Sequence, residues 1–417
     1  EEEGGPAHAP RRLAELEALG HHWSLSPDKL RGARYLLAAG DWARAVYANE
    51  DAMRHYQRAF DTLKPESGND VRLAHLDARE RLADLQGLAG RREEALAHYE
   101  AIGKALEDAQ SSEPVRAARV LRKTGGLHWE SGERERAAAC FNAGLAHLGE
   151  AGDAIERAHL FQELGRLAFR AGDNTGAMAW AQRALAEVPI GPEGSAGQDA
   201  ERAATIVRAE AGNTLGIALA RLGRLSEAVQ EIERSLAQAE ALELLQATCR
   251  GYTNLGVLYA TLDPQRSIET CLRGLETARK VGDLAFQSRL YANLAVAYCA
   301  LTNRCEAEGI EAAQAAVQLD RRLGLVDHLA VPLIVLGQIH QCHGDHERAF
   351  AAYQEALQLA EQVAEPQLLF PCYDGLATLY LDAGQPEEAE IWLAKAQAIC
   401  ESAGLEPDAL MVLPFLC

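Results

Sequence analysis

A chain of 417 residues, 48% hydrophobic yet only 6% aromatic, can bury a large core, but one built from small and aliphatic side chains rather than a single thick globule. Alanine, leucine, glutamate and arginine dominate, the vocabulary of packed helices. With 61 acidic against 41 basic side chains the net charge is −20, which argues against nucleic acid as a direct partner. No apolar run reaches the roughly 18 residues that cross a bilayer, so no membrane partner is expected.

In chain order, the opening "EEEGGPAHAP" has neither an initiator Met nor the apolar core of a signal peptide. It reads as the start of a piece excised from a longer protein. Residues 1–32 form a helical lead-in or cap, in which "HHW" at 21–23 packs the first helix or turns its histidines to solvent. Residues 33–402 repeat, as set out below, with an insertion, "EVPIGPEGSAGQDAE", at 187–201, whose Pro, Gly and Ser predict a loop open to proteases. Residues 403–417 end in the apolar "LEPDALMVLPFLC", which is a cap over the last repeat, a disordered end, or half of a further unit. Nine cysteines are scattered with no C-x-x-C pair, mostly in helical apolar contexts, as for buried thiols in a reducing cytoplasm.

The repeat shows in a small residue that follows a G-(R/D/E)-x-x-x-A turn and begins a second helix. The series is Ala52, Ala95, Ala137, Ala177, Ala228, Ser267, Ala307, Ala349 and Ala389, spaced 43, 42, 40, 51, 39, 40, 42 and 40. The 51 is the insertion. Eleven or twelve residues earlier stands Gly125, Gly165, Gly216, Gly256, Ala295, Gly337 or Ala377, and four residues later often an aromatic, as at Tyr56, Tyr99, Phe141 and Tyr353. Two small residues let antiparallel helices approach closely, and the ring fills the space beside them. Each unit is a helix hairpin with one bare apolar side, so it must stack on the next.

This pattern resembles the tetratricopeptide repeat, with nine readable copies. The resemblance implies an all-α fold, a right-handed superhelix (α-solenoid) of about nine to ten hairpins. The usual repeat is about 34 residues long. The extra six or so add roughly 9 Å of helix rise, about a turn shared out to each helix. HEAT and armadillo repeats have a similar period; the G-x-x-x-x-A turn favours the tetratricopeptide reading. The N-terminal stretch around His21, His22, Trp23, "YLLAAGDWA" at 35–43 and "YANEDAMRHYQRA" at 47–59 resembles the region after the ATPase and winged-helix portion of STAND-type signal-transduction ATPases. That resemblance implies an upstream NTPase module, where any nucleotide would bind; no cofactor is expected on this chain.

Motifs for chemistry are missing from the sequence: there is no G-x-x-x-x-G-K-[S/T], G-x-S-x-G or H-E-x-x-H. No catalytic residue is assigned. "HQCHGDH", with His340, Cys342, His343 and His346, would flank a turn at Gly344 and diverge, so no metal site is assigned.

In a stacked superhelix of this kind the first helices line the inner wall, with the second, fifth, sixth, ninth and twelfth places of each repeat facing it. These columns give the candidate ligand-binding residues Arg119, Arg122, Lys123, Gln162, Arg166, Asn213, Arg250, Asn254, Arg289, Asn293 and Gln338, with Trp129 and Phe169 at the twelfth place. Asn254 and Asn293 sit in near-identical segments, "YTNLGVLYA" and "YANLAVAYC", and have two possible uses: holding the main chain of an extended peptide, or bonding the neighbouring helix. The arginines form a stripe for an anionic or carboxylate-bearing ligand, or pair with nearby glutamates. The expected function is a non-enzymatic cytoplasmic sensor of a protein, peptide or small inducer, controlling the upstream NTPase. The alternatives are a constitutive scaffold for protein assembly and a small-molecule pocket in a closed superhelix.

Overall fold

A computed structural model describes residues 9–46, 48–64, 68–108, 113–130, 133–149, 152–188, 198–301, 304–324, 326–404 and 407. Most of the 187–201 insertion and nearly all of the 405–417 tail lie outside them. The described residues form nineteen α-helices and no strand. They are α1 (Ala9–Ser24), α2 (Lys29–Ala45), α3 (Asn49–Thr62), α4 (Asn69–Leu88), α5 (Arg92–Asp108), α6 (Pro114–Glu130), α7 (Arg134–Leu148), α8 (Ala154–Arg170), α9 (Asn174–Glu187) and α10 (Gln198–Arg221), followed by α11 (Leu225–Ala241), α12 (Leu245–Leu262), α13 (Pro264–Val281), α14 (Leu284–Ala300), α15 (Ile310–Leu323), α16 (Val326–Cys342), α17 (His346–Val363), α18 (Pro366–Asp382) and α19 (Pro386–Ala403). A π-helical turn, Cys305–Gly309, leads into α15. From α2 on, even and odd helices pair as nine hairpins, an α-solenoid of tetratricopeptide-like repeats, with α1 packed on α2.

Local chemistry starts and stops these helices. Asp173, Asp263, Asp283 and Asp345 each accept a hydrogen bond from the backbone N–H three residues on, capping α9, α13, α14 and α17. Five turn glycines between first and second helices, Gly90, Gly172, Gly223, Gly344 and Gly384, have φ between 72° and 83°, the left-handed region where a Cβ is strained.

The small-residue ladder packs as its spacing predicts. Ala52, Ala95, Ala137, Ala177, Ala228, Ser267, Ala349 and Ala389 are all fully buried. A Cβ added to Gly40, Gly125 or Gly337 would fall within 3 Å of the ring of Tyr56, Phe141 or Tyr353, respectively, so the glycine is what admits the aromatic. At one copy, whose turn holds no glycine, the spacing misleads. Ala307 is exposed, and Gly309 takes its place: a Cβ there would lie 3.7 Å from the Ala295 carbonyl, and Ala313, Ala316 and Val317 repeat the buried offsets of α17. The π-turn absorbs the two residues by which the count was off.

The described chain divides into two compact units, residues 1–163 and 164–417, the division falling within α8. In the first unit the apolar core falls into two clusters, one with Ala33, Leu36, Tyr56 and Leu85 and the other with Tyr99, Ile102 and Val120. The second has one continuous core from Phe169 through Tyr252, Leu290 and Ile334 to Tyr353 and Leu376. Within each unit the first helices also touch one another, α2 to α4 to α6 in one and α10 to α12 to α14 to α16 to α18 in the other. Among the described residues no two successive second helices approach as closely. Each unit therefore presents a continuous layer of first helices.

Candidate ligand-binding face

In the first unit this layer is a lattice of charge. Arg119 grips Glu80 through both carboxylate oxygens, at 2.7 and 3.1 Å, and Lys123 bridges Glu80 and Asp84 at 2.8 Å each. Arg116 pairs with Asp77 and lies 3.6 Å from Glu80. Arg122 donates to Glu156 at 2.6 Å, and Tyr99 donates its hydroxyl to Asp84 at 2.6 Å. Burial alone would raise the Glu80 carboxyl, but the Arg119 hydrogen bonds and the Lys123 charge overcome it and hold the group at about 2. The candidates Arg119, Arg122 and Lys123 are thus placed in ion pairs that tie α6 to α4 and α8. Gln162, on α8, is 1% exposed with neither amide atom hydrogen-bonded, and Trp129 is half-buried. At the N-terminus Trp23 is half-buried with the Arg31 guanidinium 4.1 Å above its ring, while His21 and His22 are exposed.

In the second unit the same layer is stitched by amides. Asn254 donates to the Asn213 side chain at 2.7 Å, and Asn293 donates to the Thr253 carbonyl at 2.9 Å; all three asparagines are buried. Ser267 closes the hairpin by donating to the Gly256 carbonyl at 2.7 Å. Of the two uses the repeated Asn allowed, its amide is engaged in the second, bonding the helix one repeat back.

Arg166, Arg250, Arg289 and Gln338 remain half-buried on this layer. Arg289 donates to Nε2 of His328 at 2.5 Å and lies 5.6 Å from the Phe286 ring centre. The accepting nitrogen is unprotonated, so both contacts of this guanidinium are made to uncharged atoms and its positive charge is not balanced by them.

Three further residues escaped the sequence columns. Arg170 at the end of α8 lies 4.0 Å from Glu365, the residue before α18, although 195 positions separate them. Arg221 is buried, with its guanidinium 4.1 Å above the Phe169 ring. Burial, then the neighbouring charge of Arg170, push Arg221 down to about 9, against the pull of Glu365. Arg170, Arg221, Glu365 and Phe169 thus gather into one group in this unit. Of the cluster around "HQCHGDH", His340 is half-buried with its pKa lowered by burial, and Cys342, His343 and His346 are exposed. Among the described residues no group of three or more His, Cys, Asp or Glu side chains is arranged to hold a metal ion, and no helix is long and apolar enough to cross a membrane.

Comparison with known proteins supports this architecture. The tetratricopeptide repeat family model matches residues 333–367 and 372–403. No curated protein matches the sequence. Among solved structures, a Rap protein complexed with competence and sporulation factor is similar at a TM-score of 0.59 and 14% identity, over 95% of this chain and 99% of that one. A STAND protein with a tetratricopeptide repeat sensor from Pyrococcus horikoshii is similar at 0.55 and 12% identity, over 95% of this chain. The match spans 64% of that longer protein. Aspartyl phosphate phosphatase F from Bacillus subtilis is similar at 0.52 and 11% identity, over 86% of this chain and 95% of that one. At such identities the likeness is one of fold, and the fold is of the tetratricopeptide type.

Proposed function

We propose that this chain is a non-catalytic sensor domain that binds a protein or peptide on the first-helix layer of its second unit, with Arg289 receiving an acidic group of the ligand. The observation that carries this is Arg289 itself, a half-buried guanidinium whose contacts are an imidazole nitrogen and an aromatic ring. Such a group gains a bidentate partner when a carboxylate arrives. Arg166, Arg250 and Gln338 extend the polar stripe along the same layer. Arg119, Arg122 and Lys123 serve the first unit's own ion pairs, and a ligand reaching them has to replace Glu80 or Glu156.

The likeness in fold to the tetratricopeptide sensor of a STAND protein, and to a Rap protein complexed with competence and sporulation factor, supports the sensor reading. On that reading ligand binding shifts an equilibrium that restrains an upstream NTPase module, and the shift needs a preference for one state of a few kcal/mol. A constitutive scaffold would bind without that preference.

The test is capture from cytoplasmic extract by the wild-type chain and by an Arg250→Glu, Arg289→Glu variant, with helicity checked by circular dichroism. A protein or peptide kept by the wild type and lost by the folded variant is the expected result. Equal recovery by both would remove this layer as the site. An open reading frame carrying a phosphate-binding loop upstream of Glu1 separates the STAND-type sensor from a free-standing scaffold.

A further inference from the structure

A cavity of about 380 Å³ opens in the first unit between α5 and the hairpin of α6 and α7 that follows it. Its inner wall is apolar and buried, made by the Tyr99 ring, Leu106 and Val120, and its sides by the half-buried Pro114, Ala117 and Leu121. Pro114, Ala117 and Leu121 lie on another face of α6 from Arg116, Arg119 and Lys123, so the cavity is not part of the charged layer.

Most polar groups around the cavity are engaged within the chain. Tyr99 donates its hydroxyl to Asp84 at 2.6 Å, and Thr124 donates its own to the Val120 carbonyl at 2.8 Å. Glu113 accepts from Arg72 at 3.2 Å and from Arg116 at 3.3 Å. His147 lines the cavity from α7 and is exposed. Glu100 and Glu107 stand at the rim, one on each side of Gly103 along α5; both are exposed, and neither takes part in an ion pair among the described residues.

Gly103 points the same way. In the middle of a helix glycine is less favourable than alanine, because it gives up more backbone freedom on folding. Gly40, Gly125 and Gly337 have a packing reason, since each admits an aromatic ring. A Cβ on Gly103 would meet no atom within 4 Å, so the packing of the chain does not call for glycine here. Its bare backbone instead widens the cavity between the two carboxylates.

We propose that this cavity binds a small organic cation, an amine on an aromatic or aliphatic body, with the body against Tyr99, Leu106 and Val120 and the ammonium at Glu100 and Glu107. Small-molecule sites are typically concavities of roughly 300 Å³ or more, with mostly apolar walls and a few placed polar groups. The charge of the ligand follows from the rim. An anion would be repelled by the two carboxylates and a neutral molecule would gain nothing from them, whereas a cation gains from both. At the rim its ammonium also keeps contact with water and escapes the cost of burying a charge. The occupant touches three helices of two successive repeats, α5, α6 and α7, so its binding stabilises their contact.

The experiment titrates the full chain by isothermal calorimetry with three indoles of similar shape and different charge: tryptamine, indole-3-ethanol and indole-3-acetate. Tryptamine is expected to bind at a single site, indole-3-ethanol about fivefold more weakly for want of the exposed ion pairs, and indole-3-acetate more weakly still. The double variant Glu100→Gln, Glu107→Gln is expected to bring tryptamine down to the level of indole-3-ethanol and to leave indole-3-ethanol unchanged, a split that loss of structure would not produce. Gly103→Met fills the cavity and is expected to abolish binding of all three; methionine favours a helix more than glycine does, so the thermal midpoint should not fall. Equal affinity of the wild type for the three indoles would overturn the proposal, as would a tryptamine affinity unchanged in Gly103→Met, or no saturable binding of tryptamine to the wild type.

Discussion

The first-helix layers of the two units solve one problem with different chemistry. In the first unit, Glu80 and Glu156 gather Arg116, Arg119, Lys123 and Arg122 into half-buried ion pairs, whereas in the second the same places hold Asn213, Asn254 and Asn293 in neutral hydrogen bonds. A buried ion pair is worth little in net terms against its desolvation, yet it costs much when one partner is removed. A neutral amide bond changes stability less in either direction. The charged layer should thus be the brittle one, sensitive to pH and salt, and the amide layer should be indifferent to both.

Five outcomes test that contrast, from the largest to the smallest. Glu80→Gln leaves Arg119, Lys123 and Arg116 facing one another, and should destabilise the first unit by about 3 kcal/mol, read from denaturant midpoints. The same carboxylate gives the pH signature. Its folded value of about 2 lies below the ordinary 4.5. Its contribution is therefore complete above pH 4.5, where both states are ionised. It is lost progressively as pH falls from 4.5 to 2, where the unfolded chain takes up the proton first. Glu80→Gln should flatten this slope in the first unit, as followed by amide hydrogen exchange along α4 and α6. Next, Asn254→Ala leaves the buried Asn213 oxygen without its donor and should cost about 2 kcal/mol. The double substitution with Asn213→Ala should cost less than twice that, with no change between pH 5 and 2. Raising NaCl to 1 M should speed exchange in α4 and α6 modestly and leave α12 and α14 unchanged. Arg321→Ala, which breaks an exposed pair with Glu355 at 2.7 Å, should shift stability by less than about 0.5 kcal/mol.

How far the sequence foretold this depends on the range over which each feature is encoded. The ladder of Ala52, Ala95, Ala137 and their successors was legible because helix spacing and turn glycines act within a dozen residues. The seventh copy was misplaced by two because a π-turn changes the count without changing the composition; the burial of Gly309 rather than Ala307 needed the backbone. The columns of Arg and Asn lie on the first helices, but the partners of these side chains were not legible in the sequence. Glu80 lies 39 residues from Arg119, and Asn213 lies 41 from Asn254, so a search at one repeat length would have paired them. Nothing local signals Arg170 beside Glu365, because that contact depends on the accumulated curvature of five hairpins.

The division of labour between the layers has a direct test. Amide hydrogen exchange of the chain, free and saturated with the partner that the wild type captures, should show added protection along α12, α14 and α16, with α4 and α6 unchanged. Protection concentrated on α4 and α6, with none in the second unit, would contradict the account and return ligand binding to the charged layer around Glu80.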